Sequence, residues 1–260
     1  MSKDKEFSSF IIETTNEVIR DVFKRHEHGD LILPFVVLKR IDSVLLDLKP
    51  EIVEIYNKYK DTVDDTSKII HSKLNVNFSN YSNYDLNKLT EDPNNILENI
   101  NEYLNSFSPN IQEIIKNFNI NDKIKKLDEN NLLFKFIEKF SNINLHPSKV
   151  DNHAMGNIYE ELLRRFSEMS NETSGEHYTP RDVVKLLVSL TFSEDKEKFS
   201  DPNKIISIYD PCCGTGGMLT IGKDWLVDNT KIKRQNINLF GQEKNDITYS
   251  VCKSDFLITD

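Results

Sequence analysis

Between residues 204 and 243 the chain changes its periodicity three times, and this narrows its fold more than any other feature. The run KIISIYD, 204–210, is short, rich in β-branched residues and stops at Asp210, which suits a buried strand. A glycine-bearing loop, PCCGTGG, follows, and GMLTIGKDWLVD then carries helical spacing. NINLFG is a second short apolar run, leading to Glu243, and DITYSVCKSDFL is helical again. Strand, loop, helix, strand is the opening of a doubly wound α/β sheet, whose ligands bind at the carboxyl ends of the strands. Asp210, the glycines and Glu243 all fall at that edge.

Up to about residue 150 the periodicity is helical. FIIETTNEVIRDVF spaces Ile11, Ile12, Val18, Ile19, Val22 and Phe23 along one face, and LPFVVLKRIDSVLLDL continues after a turn expected at Gly29-Asp30, with Pro34 near a helix start. Further starts are expected at Pro50, Pro93 and Pro109, the last two capped by Asp92 and Ser108. The Asn-rich stretch 75–150 keeps Phe, Leu and Ile at helical spacing, and only NFSNYSNYD reads as an exposed loop. DNHAMGNIYEELLRRF then forms a helix capped at Asp151 or Asn152, with Met155, Ile158, Tyr159, Leu162, Leu163 and Phe166 on one face. The polar loop SEMSNETSGEHY leads to TPRDVVKLLVSL, where Thr179 caps, Pro180 takes the first helical position and Asp182 reaches back. The expected organisation is a helical bundle over 1–150 and an α/β domain from 151 to 260, a fold of class α+α/β.

The chain has 260 residues, 38% of them hydrophobic and 29% charged, enough for roughly two domains with cores. No apolar run approaches the ~18 residues of a membrane span, and MSKDKEFSSF lacks the pattern of a secretory signal. Three cysteines fit a reducing compartment, so a cytoplasmic location is expected. A net charge of −9 argues against a chain that grips nucleic acid alone over a wide face. His26 and His28 in RHEHGD read as a solvated turn, and KIKR, 231–234, as a solvated loop.

The loop IYDPCCGTGG admits several chemistries. Adjacent Cys212 and Cys213 diverge and lack the spacing of a metal site or of a redox C-x-x-C pair, so they read as small fillers. Gly217, Gly222 and Lys223 satisfy G-x-x-x-x-G-K, but Asp224 replaces the required hydroxyl and the segment is helical. For a nicotinamide fingerprint Gly214 and Gly216 fit while Leu219 fails the third glycine; this oxidoreductase reading stays second. A nucleoside cofactor without a pyrophosphate fits better. Gly214, Thr215, Gly216 and Gly217 allow close approach, Asp210 suits an ammonium group, and Glu243 can accept both hydroxyls of a ribose. S-adenosylmethionine has those groups.

MGNIYEELLRRFSE, SGEHYTPRDVVKLLVSL, IYDPCCGTGGMLTIG and LFGQEKND, in that order, resemble the modification (DNA-methyltransferase) subunit of type I restriction–modification systems, an adenine-N6 methylase. LILPFVVLKRIDSVLLDL is similar to the family's N-terminal bundle, so the resemblance covers nearly the whole chain. It implies the first half of a Rossmann-like, class I S-adenosylmethionine-dependent methyltransferase sheet after the bundle. It further implies that Glu176, His177, Tyr178, Thr179, Pro180 and Arg181 close over the methionine part of the cofactor, that Thr215, Gly216 and Gly217 contact it, and that Glu243 binds its ribose. The implied partners are DNA, a specificity subunit and a restriction subunit, with two modification subunits per specificity subunit and no membrane. Cys212 replaces the usual small residue of the family loop. The family's Asn-Pro-Pro-aromatic motif, which holds a flipped adenine, has no counterpart between Met1 and Asp260. No catalytic residue is therefore assigned, and the expectation is an N-terminal portion that is inactive alone; a folded module docking the specificity subunit is the alternative.

Overall fold

The apolar periodicity of the first half becomes a set of short helices around one buried helix. The computed structural model describes residues 3–169 and 179–259, and they form two compact units, Met1–Asn171 with Ser254–Asp260, and Glu172–Lys253. The first holds α1 (Lys3–Ile19), α2 (Glu27–Leu45), α3 (Lys49–Tyr59), α4 (Ser67–Leu74), α5 (Ile96–Asn105), α6 (Pro109–Asn117), α7 (Ile120–Glu129), α8 (Leu133–Ser141) and α9 (Asn152–Met169). Leu31, Ile32, Phe35, Val36 and Ile41 of α2 are wholly buried, as expected of a helix apolar on every side. Phe35 meets Phe136 of α8 edge to face at 4.9 Å. Helix α9, which begins after residue 150, packs on α1 and α2 and belongs to this unit. Its cap is Asp151, whose Oδ1 accepts the Ala154 amide at 2.8 Å.

Five local expectations differ from the structure. Gly29 and Asp30 make no turn; they lie inside α2, where a Cβ on Gly29 would come within 2.9 Å of the Phe166 Cβ. Glycine at that point lets α9 sit close against α2. Pro34 is likewise internal to α2 and cannot donate to the carbonyl of Asp30. That carbonyl accepts instead from Lys123 Nζ of α7, at 2.8 Å. The stretch 77–85 is irregular as expected, yet mostly buried: Phe78, Ser79, Asn80, Ser82 and Asp85 are all within the core. Short polar side chains satisfy it, with the Ser82 amide donating to Asn80 Oδ1, the Tyr84 amide to Ser82 Oγ and the Ser79 amide to Ser108 Oγ. Ser108 thus stands at the start of α6 without capping it through its side chain. His28 is also buried, its ring nitrogens 2.9 Å from Asn16 Oδ1 and 3.0 Å from the Phe23 carbonyl.

The second unit contains α10 (Arg181–Ser193), β1 (Ile206–Asp210), α11 (Gly217–Asn229), β2 (Ile237–Gly241) and the first part of α12 (Asp246–Thr259). The strands are parallel, with Ile206 opposite Ile237 and Asp210 opposite Gly241. Leu226, Ile232 and Ile237 form the core, against which Phe192, Trp225, Ile206, Ile208 and Leu239 pack. Gly222 allows this: a Cβ there would lie 3.3 Å from Phe192 and 3.4 Å from Ile208. Strand β1 is less buried than its composition suggests, because its alternate residues, Ser207 and Tyr209, are exposed. Pro180, not Thr179, takes the position before α10; its ψ of 134° is extended, and its carbonyl accepts from Val183 and Val184.

Candidate functional site

The strand ladder does not stop at the strand ends. Gln242 donates its amide to the Asp210 carbonyl at 3.0 Å, and Cys213 donates to the Gln242 carbonyl at 3.0 Å. The Asp210 carboxylate accepts the Cys212 amide at 3.0 Å, turning the chain sharply as an Asx turn. Gly214 and Gly216 then take φ of +55° and +87°, a left-handed conformation that strains any residue with a Cβ. Gly216 donates to the Cys213 carbonyl at 2.8 Å and accepts from Leu219 and Thr220, which starts α11.

This path brings the loop against Glu243. Glu243 Oε2 accepts the Gly214 amide at 3.2 Å, and Oε1 accepts the Asn245 amide at 2.7 Å. A carboxylate oxygen has two acceptor positions, so each oxygen keeps one for a ligand hydroxyl. A Cβ built on Gly214 or Gly217 would meet nothing within 4 Å, so the loop is bordered by open space where a ligand backbone or ring can approach. The amino end of α11, a thirteen-residue helix, opens on the same loop. A separate open cleft of about 420 Å³ beside β1 has walls such as Phe192, Ile208 and Met218 and reaches Asp210, but neither the glycines nor Glu243 line it. Its apolar walls offer few groups to recognise a polar ligand, and the loop is the better site.

The cysteines differ from each other. Cys213 is buried, and its Sγ fills the space beside Gly241, where a Cβ would come within 2.8 Å of that sulfur and 3.1 Å of Leu219. Cys213 is thus a filler as expected, whereas Cys212 is exposed and fills nothing. Gly241→Ala should therefore push the loop outward and destabilise the second unit by about 1–2 kcal/mol. Gly217→Ala, with open space at its Cβ, should stay within about 0.5 kcal/mol. Urea unfolding of both variants checks this; equal stabilities would sink the account.

Gly217–Asn229 is a helix, so the G-x-x-x-x-G-K spacing is a coincidence. Leu219 is fully buried where a dinucleotide fingerprint needs glycine. No group of three metal-ligating side chains occurs among the described residues, and no helix among them is long and apolar enough to cross a membrane. Asp210, Gly214, Thr215, Gly216, Gly217 and Glu243 are brought together by the ladder. Thr179, Pro180 and Arg181 stand at the start of α10, the first two exposed; Glu176, His177 and Tyr178 lie outside the described residues. Asn245 was missed. It anchors Glu243 and also caps α12, its Oδ1 accepting the Thr248 amide at 2.9 Å, and the sequence NDIT carries that cap signature.

The chain matches two family models, HsdM N-terminal domain over residues 7–140 and N-6 DNA Methylase over residues 150–260. It is 31% identical over 142 residues to the type I restriction enzyme EcoEI methylase subunit of Escherichia coli, covering 53% of this chain and 26% of that protein. It is 28% identical over 170 residues to the type I restriction enzyme MjaIX methylase subunit of Methanocaldococcus jannaschii, covering 59% and 28%. The aligned segments span about a quarter of the length of these relatives. The crystal structure of the type I restriction-modification system methyltransferase subunit from Streptococcus thermophilus shares the fold. Its TM-score is 0.74 at 18% identity, over 99% of this chain and 56% of that one.

Proposed function

Because the chain belongs to the family of methylase (modification) subunits of type I restriction–modification systems, we propose that it supplies the cofactor-binding part of an adenine-N6 DNA methyltransferase and that its cofactor is S-adenosylmethionine. The observation that carries this reading is Glu243, held by two backbone amides at the end of β2 with an acceptor position left on each oxygen. The glycine loop fits the same group, since open space lies where Cβ atoms would be. When bound, S-adenosylmethionine supplies a methyl group on a positively charged sulfur for transfer to the adenine amine. Glu243 holds the ribose diol; Thr215, Gly216 and Gly217 present small surfaces and helix-end amides; Asp210 offers negative charge to the ammonium group. Glu176, His177, Tyr178, Thr179, Pro180 and Arg181 are proposed to cover the methionine part. The natural setting is the cytoplasm, with DNA, a specificity subunit and a restriction subunit as partners and two modification subunits per specificity subunit. The net charge of −9 suits a subunit that leaves sequence reading to its partner.

Calorimetric titration with S-adenosylmethionine tests this. Glu243→Gln keeps the shape, loses the charge and one acceptor, and should weaken binding about tenfold. A folded wild-type chain that binds no S-adenosylmethionine would overturn the reading and leave the helical unit as an assembly module.

A further inference from the structure

Asn245 stands between Glu243 and α12 and directs its polar groups two ways. Its Oδ1 accepts the Thr248 amide at 2.9 Å and the Thr248 hydroxyl at 3.1 Å, and its carbonyl accepts the Tyr249 amide at 2.8 Å. Those bonds cap α12. Its own amide points back along the chain and donates to Glu243 Oε1 at 2.7 Å. In a capping box a Glu or Gln three residues beyond the cap would reach back and take that amide. Here the third residue is Thr248, whose hydroxyl goes to the Asn245 side chain instead. The amide of the cap is thus left for the Glu243 carboxylate. The carboxylate passes the constraint on, because its Oε2 accepts the Gly214 amide at 3.2 Å.

We propose that Asn245 is the positioning residue of this site: its amide fixes the direction of the Glu243 carboxylate, and through Glu243 it ties the glycine loop to the start of α12. A backbone amide reaches a side chain two residues earlier only while its peptide keeps one orientation. The two bonds from Thr248 to the Asn245 side chain hold that orientation. Without them the Glu243 side chain is released among its rotamers, and the Gly214 amide, on a residue with a left-handed φ of +55°, loses a fixed acceptor. Asn245 acts through Glu243 and needs no contact with a ligand. Its effect on cofactor affinity rests on the function proposed above; its hold on the glycine loop does not.

Two variants of the full chain separate positioning from capping. Asn245→Ala removes the acceptor of the cap, whereas Thr248→Gln supplies a side chain that takes the Asn245 amide away from Glu243 while the helix stays capped. Hydrogen exchange followed by NMR without cofactor should show the Gly214 amide exchanging about tenfold faster in both. Calorimetry should show both binding S-adenosylmethionine about fivefold more weakly. Affinity for its 3′-deoxyribose analogue, which offers Glu243 a single hydroxyl, should change by about twofold or less. Thermal unfolding should find Thr248→Gln no less stable than the parent, a combination that a merely structural role does not produce. Asn245→Ser, which also caps, should restore both readouts. Asp201→Ala, which removes a similar bond to the Asn203 amide, should change neither. An unchanged Gly214 amide in the two variants, an unchanged affinity, or equal losses for the two ligands overturns the proposal. If the parent binds no S-adenosylmethionine, faster Gly214 exchange in the variants still supports the positioning and counts against the cofactor site instead.

Discussion

An Arg40→Met chain is expected to lose about 3–5 kcal/mol of stability in its helical unit and to melt about 10 °C or more below the parent. Arg40 is wholly buried on α2. Its Nη1 donates to the carbonyls of Leu145 and Val150 at 2.6 and 2.7 Å, and its Nη2 donates to Asn152 Oδ1 at 2.7 Å. The two carbonyls belong to the link between α8 and α9, and Asn152 opens α9. One planar guanidinium thus satisfies the irregular backbone that carries the chain from one helix into the next. Methionine matches much of its volume and none of its donors, leaving the two buried carbonyls of Leu145 and Val150 unsatisfied at about 1–3 kcal/mol each before relaxation. Arg40→Lys, with a single donor head, should fall between the two. Thermal unfolding followed by circular dichroism decides this; a loss under about 1 kcal/mol would mean that the link is held by other means.

The same unit should be most stable near pH 4 and lose about 1.5 kcal/mol between pH 5 and pH 8. Two carboxylates set opposite slopes. Asp42 is pushed up from 3.8 to about 6 by burial and by Asp85, against the amide of Leu86 and the ammonium groups of Lys39 and Lys49. Its oxygens accept from Tyr103 Oη at 3.2 Å and from the Leu86 amide at 3.1 Å. The folded state binds this proton more tightly than the unfolded one, so stability falls as pH rises from 3.8 through 6. Glu161 goes the other way. Hydrogen bonds from Arg164 and Arg165, at 2.8 Å each, hold it down from 4.5 to about 2 although its partial burial works the other way. Its contribution is full above 4.5 and fades as pH falls through 2; with the arginines partly exposed, screening leaves about 1–2 kcal/mol. Asp42→Asn should flatten the slope between pH 5 and 8, and Glu161→Gln the slope below 4.5. A stability maximum near pH 7 in the parent would refute the assignment.

What was legible in the sequence was what repeats locally. β1, α11 and β2 each announce themselves within a dozen residues, and the edge where Asp210, Gly214 and Glu243 meet follows from the handedness of such units. The helices of the first unit were equally readable from their apolar spacing. Arg40 and Asp42 were not, because they follow an apolar run and look like its polar boundary, while their partners stand about a hundred residues away for Arg40 and beyond residue 80 for Asp42. Gly29 looked like a turn because the need for glycine comes from Phe166 on another helix. The stretch 77–85 looked exposed because its Asn and Ser side chains are polar, although they turn inward to the backbone.

The bond from Lys123 to the carbonyl that Pro34 leaves open bears on how the chain assembles. When α2 emerges during synthesis, its middle has one carbonyl that no residue of the helix can reach, so only water serves it. α7 follows some ninety residues later and brings the missing donor. A chain without α7 would leave the Asp30 carbonyl without this donor. The proline thus makes one backbone acceptor of the most buried helix depend on a side chain some ninety residues away.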